Sequence, residues 1–370
     1  MRKKNINHQN SSEQPFSRRK FVKYGALSLG AGAIAACGAN PSTETTDTAT
    51  EASGSGSPES GSPELIVKKE KVVASWLPIM QTTAYYVALE RGLFDQADIE
   101  VESVKFENPN QIIDSLVSGR ADFGPPGTAA GITVLAEAKA PGTFKVFGLQ
   151  GGGIKSNLMN DGLIVTPDST IASFEDLKGK TVSTIPGIQW KTILSYVLKQ
   201  NGLEPGSTVT IEQMAVGLHL PSVVSGAVDA TLSLEPIGSI AEATEQGKRA
   251  MVNPVAMFIS DPFYSGAAVL TSKFLTDRPE VAKKVVQVID EATKIANDDF
   301  NQVRPIISEY TALEAAQAAY VAQPLLKRFD DLDATDLDSY QKFINVFSAE
   351  EVLDKEMSAK AIMLDKSELV

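Results

Sequence analysis

The chain has 370 residues, of which 43% are hydrophobic and 22% are charged, a composition typical of a soluble globular protein long enough to bury one or two cores. Its formal net charge of −12 at pH 7 argues against nucleic acid as a partner and against a surface that binds anionic lipid. After residue 37, no run approaches the roughly 18 to 20 apolar residues of a membrane-spanning helix.

Residues 1–37 are interpreted as a targeting segment. The run Ser17-Arg18-Arg19-Lys20-Phe21 resembles a twin-arginine export signal, and Ile34-Ala35-Ala36-Cys37 resembles the lipobox of bacterial lipoproteins. The alternative is a basic tail followed by a buried helix. Because Cys37 is the only cysteine of the chain, we expect cleavage before it and lipidation of its sulfur.

Residues 38–64 consist mainly of Ser, Thr, Glu, Gly and Pro, with almost no large apolar side chain. Such a composition does not offset the entropy of ordering the chain, so we expect a disordered, flexible tether. A globular body on this tether would reach a partner in the membrane nearby.

Residues 65–166 are predicted to form a first lobe of alternating strands and helices. Strands are expected at 71–75 and 99–106, and helices at 83–91 and from the N-cap Asn110 to Gly119. The second helix should turn Ile112, Ile113, Leu116 and Val117 inward.

Residues 167–262 are predicted to form a second lobe of the same kind. A short helix is expected at 174–177, strands at 181–184 and 208–214, a helix at 191–200 and another that includes 221–224. The apolar runs 162–167 and 266–270 are predicted to carry the chain out and back as a hinge. Residues 263–370 should return to lobe 1 and continue as helices, beginning with one that contains Val281 and Val285.

An internal repeat supports this division into two lobes. The run Ser118-Gly119-Arg120-Ala121-Asp122 recurs 107 residues later as Ser225-Gly226-Ala227-Val228-Asp229. In the same order, the segment 71–78 is echoed by 180–186. We therefore predict two similar α/β lobes with parallel-type sheets joined by a two-segment hinge.

Loops at the carboxyl ends of parallel strands face one crevice, so two such lobes should enclose a ligand-binding cleft. The candidate ligand-binding residues in these loops are Trp76, Met80, Gln81, Gly124, Gly127, Thr128, Gly187, Gln189, Trp190 and Glu235. Both tryptophans of the chain belong to this set, in equivalent loops of the two lobes. We expect them to enclose the ligand from opposite sides, the alternative being that they are core aromatics.

Two further residues have open roles. Glu235 either caps the following helix or contacts the ligand, and His219 is either structural or part of the pocket. His219 is the only histidine beyond the export signal. The chain therefore has few side chains from which to build a metal site, and only one imidazole for a Ser/His/Asp triad. No catalytic residue, metal or cofactor is predicted.

Five segments in order resemble the solute-binding proteins of bacterial ABC importers, in the subfamily for aliphatic sulfonates, taurine, nitrate and the pyrimidine precursor of thiamine. They begin at residues 85, 116, 174, 226 and 274, the first and fourth being Tyr85-Tyr86-Val87-Ala88-Leu89-Glu90-Arg91-Gly92 and Gly226-Ala227-Val228-Asp229-Ala230 with Glu235-Pro236. Family members often carry an acidic residue and proline at this last position. The candidate loops contain no arginine to clamp a sulfonate or nitrate.

The resemblance implies a type II periplasmic-binding-protein fold. It implies a protein that closes on a small molecule and delivers it to an ABC permease and its ATPase. We expect this importer component to be a monomer outside the cytoplasm, tethered through Cys37, and not an enzyme. An exported enzyme and a ligand sensor on the same two-lobed scaffold are the alternatives. An enzyme would turn over the bound molecule, and an importer component would release it unchanged.

Overall fold

The computed structural model describes residues 68–369. The predicted export signal, Cys37 and the tether lie outside the described residues, and their predictions are not addressed by the fold. Within residues 68–369, no helix combines the length and apolar character needed to span a membrane.

The described residues build two β-sheets, each belonging to one lobe. Lobe 1 contains a six-stranded sheet of order β11-β4-β10-β3-β1-β2, and lobe 2 a five-stranded sheet of order β7-β6-β8-β5-β9. The strands are β1 (Glu70–Trp76), β2 (Ile99–Lys105), β3 (Phe123–Ala129), β4 (Phe144–Gly152), β5 (Asp161–Val165), β6 (Thr181–Thr184), β7 (Thr210–Gln213), β8 (Ala230–Leu234), β9 (Lys248–Val252), β10 (Phe263–Thr271) and β11 (Leu325–Lys327).

Helices cover the sheets. In lobe 1 they are α1 (Thr83–Glu90), α2 (Leu93–Gln96), α3 (Pro109–Val117) and α4 (Ala130–Lys139), and in lobe 2 α5 (Ile188–Gln200), α6 (His219–Val224), α7 (Ile237–Ala243) and α8 (Pro254–Phe258). After β10 the chain forms α9 (Ser272–Asp277), α10 (Pro279–Asp298), α11 (Phe300–Ile307), α12 (Ala315–Ala318), α13 (Ala334–Ala349) and α14 (Ala359–Ile362).

The internal repeat corresponds to equivalent structure in the two lobes. β1 lies between β2 and β3 and runs parallel to both, just as β6 lies between β7 and β8. The repeated aspartates make the same contact: Asp122 accepts a hydrogen bond from Val73 N–H, and Asp229 accepts one from Thr181 N–H, each at 2.9 Å. The repeated motif is thus a strand connection that ties β3 to β1 in lobe 1 and β8 to β6 in lobe 2.

The glycine of each repeat ends the preceding helix. Gly119 and Gly226 have φ values of +70° and +72°, a left-handed conformation that closes a helix at little cost only in glycine. The structure therefore explains two of the repeated positions by backbone geometry alone.

The sheets are mixed rather than purely parallel, because the crossing strands run against their neighbours. β5 is antiparallel to β8 and β9, and β10 is antiparallel to β3 and β4. β5 already belongs to the sheet of lobe 2, and Gly266 lies inside β10. The chain consequently crosses between sheets at residues 153–160 and 259–262, earlier than the hinge predicted at 162–167 and 266–270.

Four local predictions differ from the structure. Asn108, not Asn110, is the N-cap of α3, and its side chain accepts a hydrogen bond from Asn110 N–H at 2.9 Å. Val117 is exposed rather than inward. α5 begins at Ile188 instead of 191, and the expected loop at 124–128 is part of the fully buried strand β3.

Helix α13, near the end of the chain, packs against both lobes. It contacts α4 and β10 of lobe 1 and α5 of lobe 2. Tyr340, Phe343 and Phe347 of α13 belong to one buried cluster with Trp190 and Ile193 of α5. This shared core makes α13 a structural link between the lobes.

Candidate functional site

A cavity of about 300 Å³ lies between the two lobes. This volume is at the small end of the roughly 300–1,000 Å³ typical of ligand pockets. Lobe 1 lines it with Leu77, Pro78, Ile79, Gln81, Lys105, Glu107, Pro109, Gly127, Ala129 and Ser265, lobe 2 with Ile185, Gln189, Trp190, Val216, Gly217, Leu234, Pro236, Ile237 and Ile240, and the segment after α11 with Glu309, Tyr310, Thr311 and Ala312.

Four of the ten predicted site residues line this cavity: Gln81, Gly127, Gln189 and Trp190. Gly127 has a φ of +94°, and a Cβ atom there would lie 2.5 Å from Thr82 Oγ1. Glycine is therefore required at this point of the wall, where the backbone itself borders the cavity.

The second predicted tryptophan, Trp76, does not line the cavity. Its ring packs against Tyr85, Tyr86 and Tyr310 inside lobe 1, with centroid distances of 5.5 to 6.1 Å. Its Nε1–H donates to Ser103 Oγ at 2.8 Å. In this structure Trp76 packs as a core aromatic, and of the two tryptophans expected to enclose a ligand only Trp190 lines the cavity.

Four other predicted residues are not among the lining residues. Met80 is buried in the core of lobe 1, and its N–H donates to Glu235 O of lobe 2 at 3.4 Å. Gly124 and Thr128 pack against each other inside β3, where Thr128 Oγ1 donates to Pro125 O at 2.9 Å. Gly187 is the N-cap of α5 and donates to Gln213 Oε1 at 2.8 Å.

Glu235 also lies outside the lining, in a buried ion pair of lobe 2. Its Oε1 accepts hydrogen bonds from Arg249 Nε at 3.0 Å and Nη2 at 2.7 Å. Its Oε2 accepts from Ser239 N–H at 3.2 Å and from Ser239 Oγ at 2.7 Å, near the start of α7. Of the two roles left open by the sequence, the structure therefore matches the helix-capping one.

Amide side chains connect the lobes beside the cavity. Gln189 Oε1 accepts from Gly131 N–H at 2.7 Å, and Gln189 Nε2 donates to Ser265 O at 2.9 Å. Gly131 and Ser265 belong to lobe 1, whereas Gln189 belongs to lobe 2. A single buried side chain thus makes two hydrogen bonds across the gap between the lobes.

A second amide cluster lies where the chain first crosses. Gln81 Nε2 donates to Ser265 Oγ at 2.8 Å and also to Asn160 Oδ1. Asn160 Nδ2 in turn donates to Asp161 Oδ2 at 2.7 Å. Burial raises the pKa of Asp161 to about 7, against the opposing effect of the Asn160 hydrogen bond, and Glu235 raises it further.

The two crossing segments are tied to each other by side chains. Asp261 accepts hydrogen bonds from the N–H groups of Ile154 at 2.8 Å and Lys155 at 3.2 Å. Asn253 Oδ1 accepts from Asn160 N–H at 2.8 Å. The crossings therefore form one hydrogen-bonded unit next to the Gln81 cluster.

Charged side chains are sparse in the lining. Lys105 and Glu107 face each other with Nζ and Oε1 3.7 Å apart, and both are exposed; Glu309 is exposed as well. None of the lining residues named above is an arginine, a histidine or a cysteine. The remaining surface is mainly aliphatic and aromatic, which suits an organic molecule better than a bare ion.

His219 is a buried structural residue of lobe 2 rather than a pocket residue. Its Nδ1 lies 2.7 Å from Ser233 Oγ and its Nε2 lies 3.0 Å from Met214 O. Burial lowers its pKa to about 4, so the ring is neutral near pH 7. Within residues 68–369, no group of three or more His, Cys, Asp or Glu side chains is arranged to hold a metal ion.

Sequence reasoning missed several parts of the wall, including Ser265 of β10 and Ile237 and Ile240 of α7. Lys105 ends β2 and Glu107 follows it, just as Met214 to His219 follow β7, so the repeat itself could have indicated them. The segment from Glu309 to Ala312 has no counterpart in the repeat, and no pattern in the sequence marks it as part of a pocket.

A family model described as NMT1/THI5 like matches residues 79–302, more than half of the chain. The chain belongs to the NMT1/THI5-like family. This NMT1/THI5-like chain is 24% identical over 225 residues to a Brucella abortus (strain 2308) protein named as a binding protein, a match that covers 60% of this chain and 64% of the relative. The chain thus spans less than two thirds of the length of that curated relative.

Two further comparisons concern an enzyme and a solved structure. Over 155 residues, 40% of each protein, the chain is 29% identical to the 4-amino-5-hydroxymethyl-2-methylpyrimidine phosphate synthase of Schizosaccharomyces pombe. The alkanesulfonate-binding protein of Xanthomonas axonopodis pv. citri, solved bound to MOPS, superposes with a TM-score of 0.65 at 16% identity, over 80% of this chain and 99% of that one. The predicted two-lobed periplasmic-binding-protein fold is thereby confirmed for this NMT1/THI5-like chain.

Proposed function

We propose that this protein is the extracytoplasmic solute-binding component of an ABC importer and binds a small organic molecule between its lobes. The proposal includes a monomer tethered to the membrane through lipid on Cys37, with an ABC permease and its ATPase as partners. Family membership and the two-lobed fold support it. The resemblance of residues 17–21 to an export signal and of residues 34–37 to a lipobox supports the location.

The observation that carries this proposal is the cavity to which both lobes contribute. Gln81 and Ser265 come from lobe 1, and Gln189 and Trp190 from lobe 2. A site divided in this way is complete only when the lobes meet, so binding and lobe closure are coupled. Such coupling lets a permease distinguish the loaded protein from the empty one by shape.

The lining bears on the class of solute. Sulfonate, taurine, nitrate and a pyrimidine precursor are the candidates implied by the resemblance. The lining offers no arginine clamp, and it consists mainly of aliphatic side chains, one tryptophan, one tyrosine and amide groups. These features favour a molecule with an organic body over nitrate.

An enzyme on the same scaffold is the second candidate, because one relative is named as a synthase. Acid–base catalysis would need a titratable group within hydrogen-bond reach of the bound molecule. His219 is occupied inside lobe 2, and the acidic lining residues Glu107 and Glu309 are exposed at the cavity edge. The arrangement therefore favours a protein that binds its solute without converting it. Both an importer component and a sensor of the same solute meet this condition.

Native mass spectrometry of the freshly purified protein tests the proposal. We expect a non-covalent small molecule that is released with unchanged mass after prolonged incubation. Conversion of that molecule would favour the enzyme. No carried-over molecule, together with no calorimetric signal for MOPS or for 4-amino-5-hydroxymethyl-2-methylpyrimidine up to about 1 mM, would contradict a binding role in this solute range.

A further inference from the structure

One of the aromatic residues at the cavity, Tyr310, comes from a part of the chain that the sequence did not mark as part of the pocket. Trp190 and Tyr310 are the two aromatic side chains among the lining residues. Trp190 lies in the first turn of α5, in lobe 2. Tyr310 lies beyond α11, outside the region 79–302 that the family model matches.

Contacts with lobe 1 hold Tyr310 in place. Its ring stacks on that of Tyr86, with centroids 4.7 Å apart and planes 5° from parallel. The edge of Trp76 packs against it at 6.0 Å, and its hydroxyl donates to Glu90 Oε1 at 2.8 Å. A ring fixed by stacking and by a hydrogen bond loses little entropy when it contacts a ligand.

The segment that contains Tyr310 also reaches lobe 2. Ala322 N–H donates to Ser239 Oγ of α7 at 3.0 Å, and Gln323 O accepts from Met159 N–H of the first crossing segment at 2.8 Å. Residues 309–323 therefore span from the Tyr86 stack on lobe 1 to α7 on lobe 2. They provide a third wall of the cavity, between the two lobes.

We propose that Tyr310 is a ligand-recognition residue that, together with Trp190, selects a planar conjugated molecule. The proposal rests on the binding function above and deepens it. Lobe 2 then contributes one ordered ring, Trp190 of α5, and the third wall contributes another, Tyr310, which is held on Tyr86 of lobe 1. Aromatic rings prefer stacked or edge-to-face partners, so a flat π system gains contacts that a saturated ring of equal size does not.

The test replaces the ring while keeping the wall apolar. Tyr310→Leu removes the ring, Tyr310→Phe keeps it and removes only the hydroxyl, and Tyr320→Leu is a matched control, because Tyr320 is 70% exposed and outside the lining. Thermal unfolding first establishes that each variant is folded. Native mass spectrometry of wild type and variants, purified in parallel, then measures the fraction that carries a small molecule, and tandem spectrometry identifies it.

We expect a planar conjugated molecule, retained by Tyr310→Phe and Tyr320→Leu and depleted in Tyr310→Leu. In calorimetry with the identified compound, Tyr310→Leu should bind about 2- to 13-fold more weakly, the range expected for a lost aromatic contact. If nothing is carried over, 4-amino-5-hydroxymethyl-2-methylpyrimidine serves as the planar probe and MOPS as the saturated one.

The outcomes separate this inference from the binding function. A saturated carried-over molecule, or binding of MOPS without the pyrimidine, would overturn the planar class while leaving a binding protein. Equal affinities of wild type and Tyr310→Leu for a planar molecule would remove Tyr310 from the site and leave the binding function intact. No binding of any compound would contradict both proposals.

Discussion

Gln189 of lobe 2 and Gly131 of lobe 1 are joined by a hydrogen bond of 2.7 Å from the Gly131 N–H to Gln189 Oε1. Gly131 is the second residue of α4, so its N–H has no partner within its own helix. A Cβ atom at position 131 would overlap Phe347 of α13 and lie 3.0 Å from Gln189 Oε1. Glycine at this position therefore allows α4, α5 and α13 to meet beside the cavity.

Replacing Gln189 should loosen the contact between the lobes. Gln189→Ala leaves Gly131 N–H and Ser265 O without their side-chain partner, and each lost buried hydrogen bond costs about 1 to 3 kcal/mol. Gln189→Glu keeps an acceptor for Gly131 but opposes a carboxylate to the carbonyl of Ser265. We expect a larger radius of gyration in small-angle scattering for both variants.

Gln200→Ala, in the exposed last turn of the same helix, is the control and should scatter like wild type. If Gln189→Ala and Gln189→Glu also match wild type in scattering and in urea unfolding, the two hydrogen bonds do not hold the lobes together. The packing of α13 against both lobes would then be the remaining link.

The internal repeat made much of the fold predictable, because both lobes share one strand order. That order places the carboxyl ends of β1 and β6 at the same cleft. The same logic located Gln81, Gly127, Gln189 and Trp190. The orientation of Trp76 was also contained in the sequence. Residues two apart share one face of a strand, and Trp76 shares a face of β1 with the core residues Val72 and Ala74.

Other features depend on contacts that local patterns do not encode. The partner of Glu235 is Arg249, which lies 14 residues away on the edge strand β9, and β5 separates that strand from β8 in the sheet. Tyr310 reaches the cavity only because α11 and the segment after it fold back onto α1. Neither contact follows from periodicity or from the repeat, since Arg249 and Tyr310 both lie outside the repeated segments.

Breaking the buried pair Glu235–Arg249 should destabilise the protein strongly. Both side chains are at most 5% exposed, so Arg249→Met leaves the Glu235 carboxylate buried without its cation. Removal of one partner of a buried pair costs about 3 to 5 kcal/mol, and the double variant Glu235→Gln/Arg249→Met should lose less than the sum of the single losses. Urea unfolding of the three variants measures the coupling.

The exposed pair Lys273–Asp277 provides the comparison. Its side chains are 78% and 51% exposed, and Lys273→Met should change the free energy of unfolding by about 0 to 1 kcal/mol. Arg249→Met behaving like Lys273→Met would show that the buried carboxylate finds another partner or takes up a proton.

Cys37→Ser should release the mature protein from membranes without preventing its export. The serine variant lacks the sulfur that would carry the lipid, while Arg18 and Arg19 of the predicted export signal remain. Membrane fractionation in a bacterial host measures the result. Retention of the variant in washed membranes would exclude Cys37 as the anchor, and retention of both proteins in the cytoplasm would instead contradict the export signal.

His219 and Asp161 should tilt the pH dependence of stability in opposite directions. The pKa of His219 is lowered by burial to about 4, so between about pH 6.5 and 4 the unfolded state binds more protons than the folded state. This group lowers the free energy of unfolding as the pH falls through that window. The pKa of Asp161 is raised by burial to about 7, so between about pH 4 and 7 the folded state binds more protons, and stability falls as the pH rises.

The two effects oppose each other over nearly the same range, so the wild-type slope conceals both, and single variants separate them. In His219→Gln, the free energy of unfolding should decrease with rising pH more steeply than in wild type between about pH 4 and 7. In Asp161→Asn, it should instead increase with rising pH over this range. Each slope change is at most about 1.4 kcal/mol per pH unit. Urea unfolding across this range measures the slopes, and both variants running parallel to wild type would mean that neither group titrates differently in the folded protein.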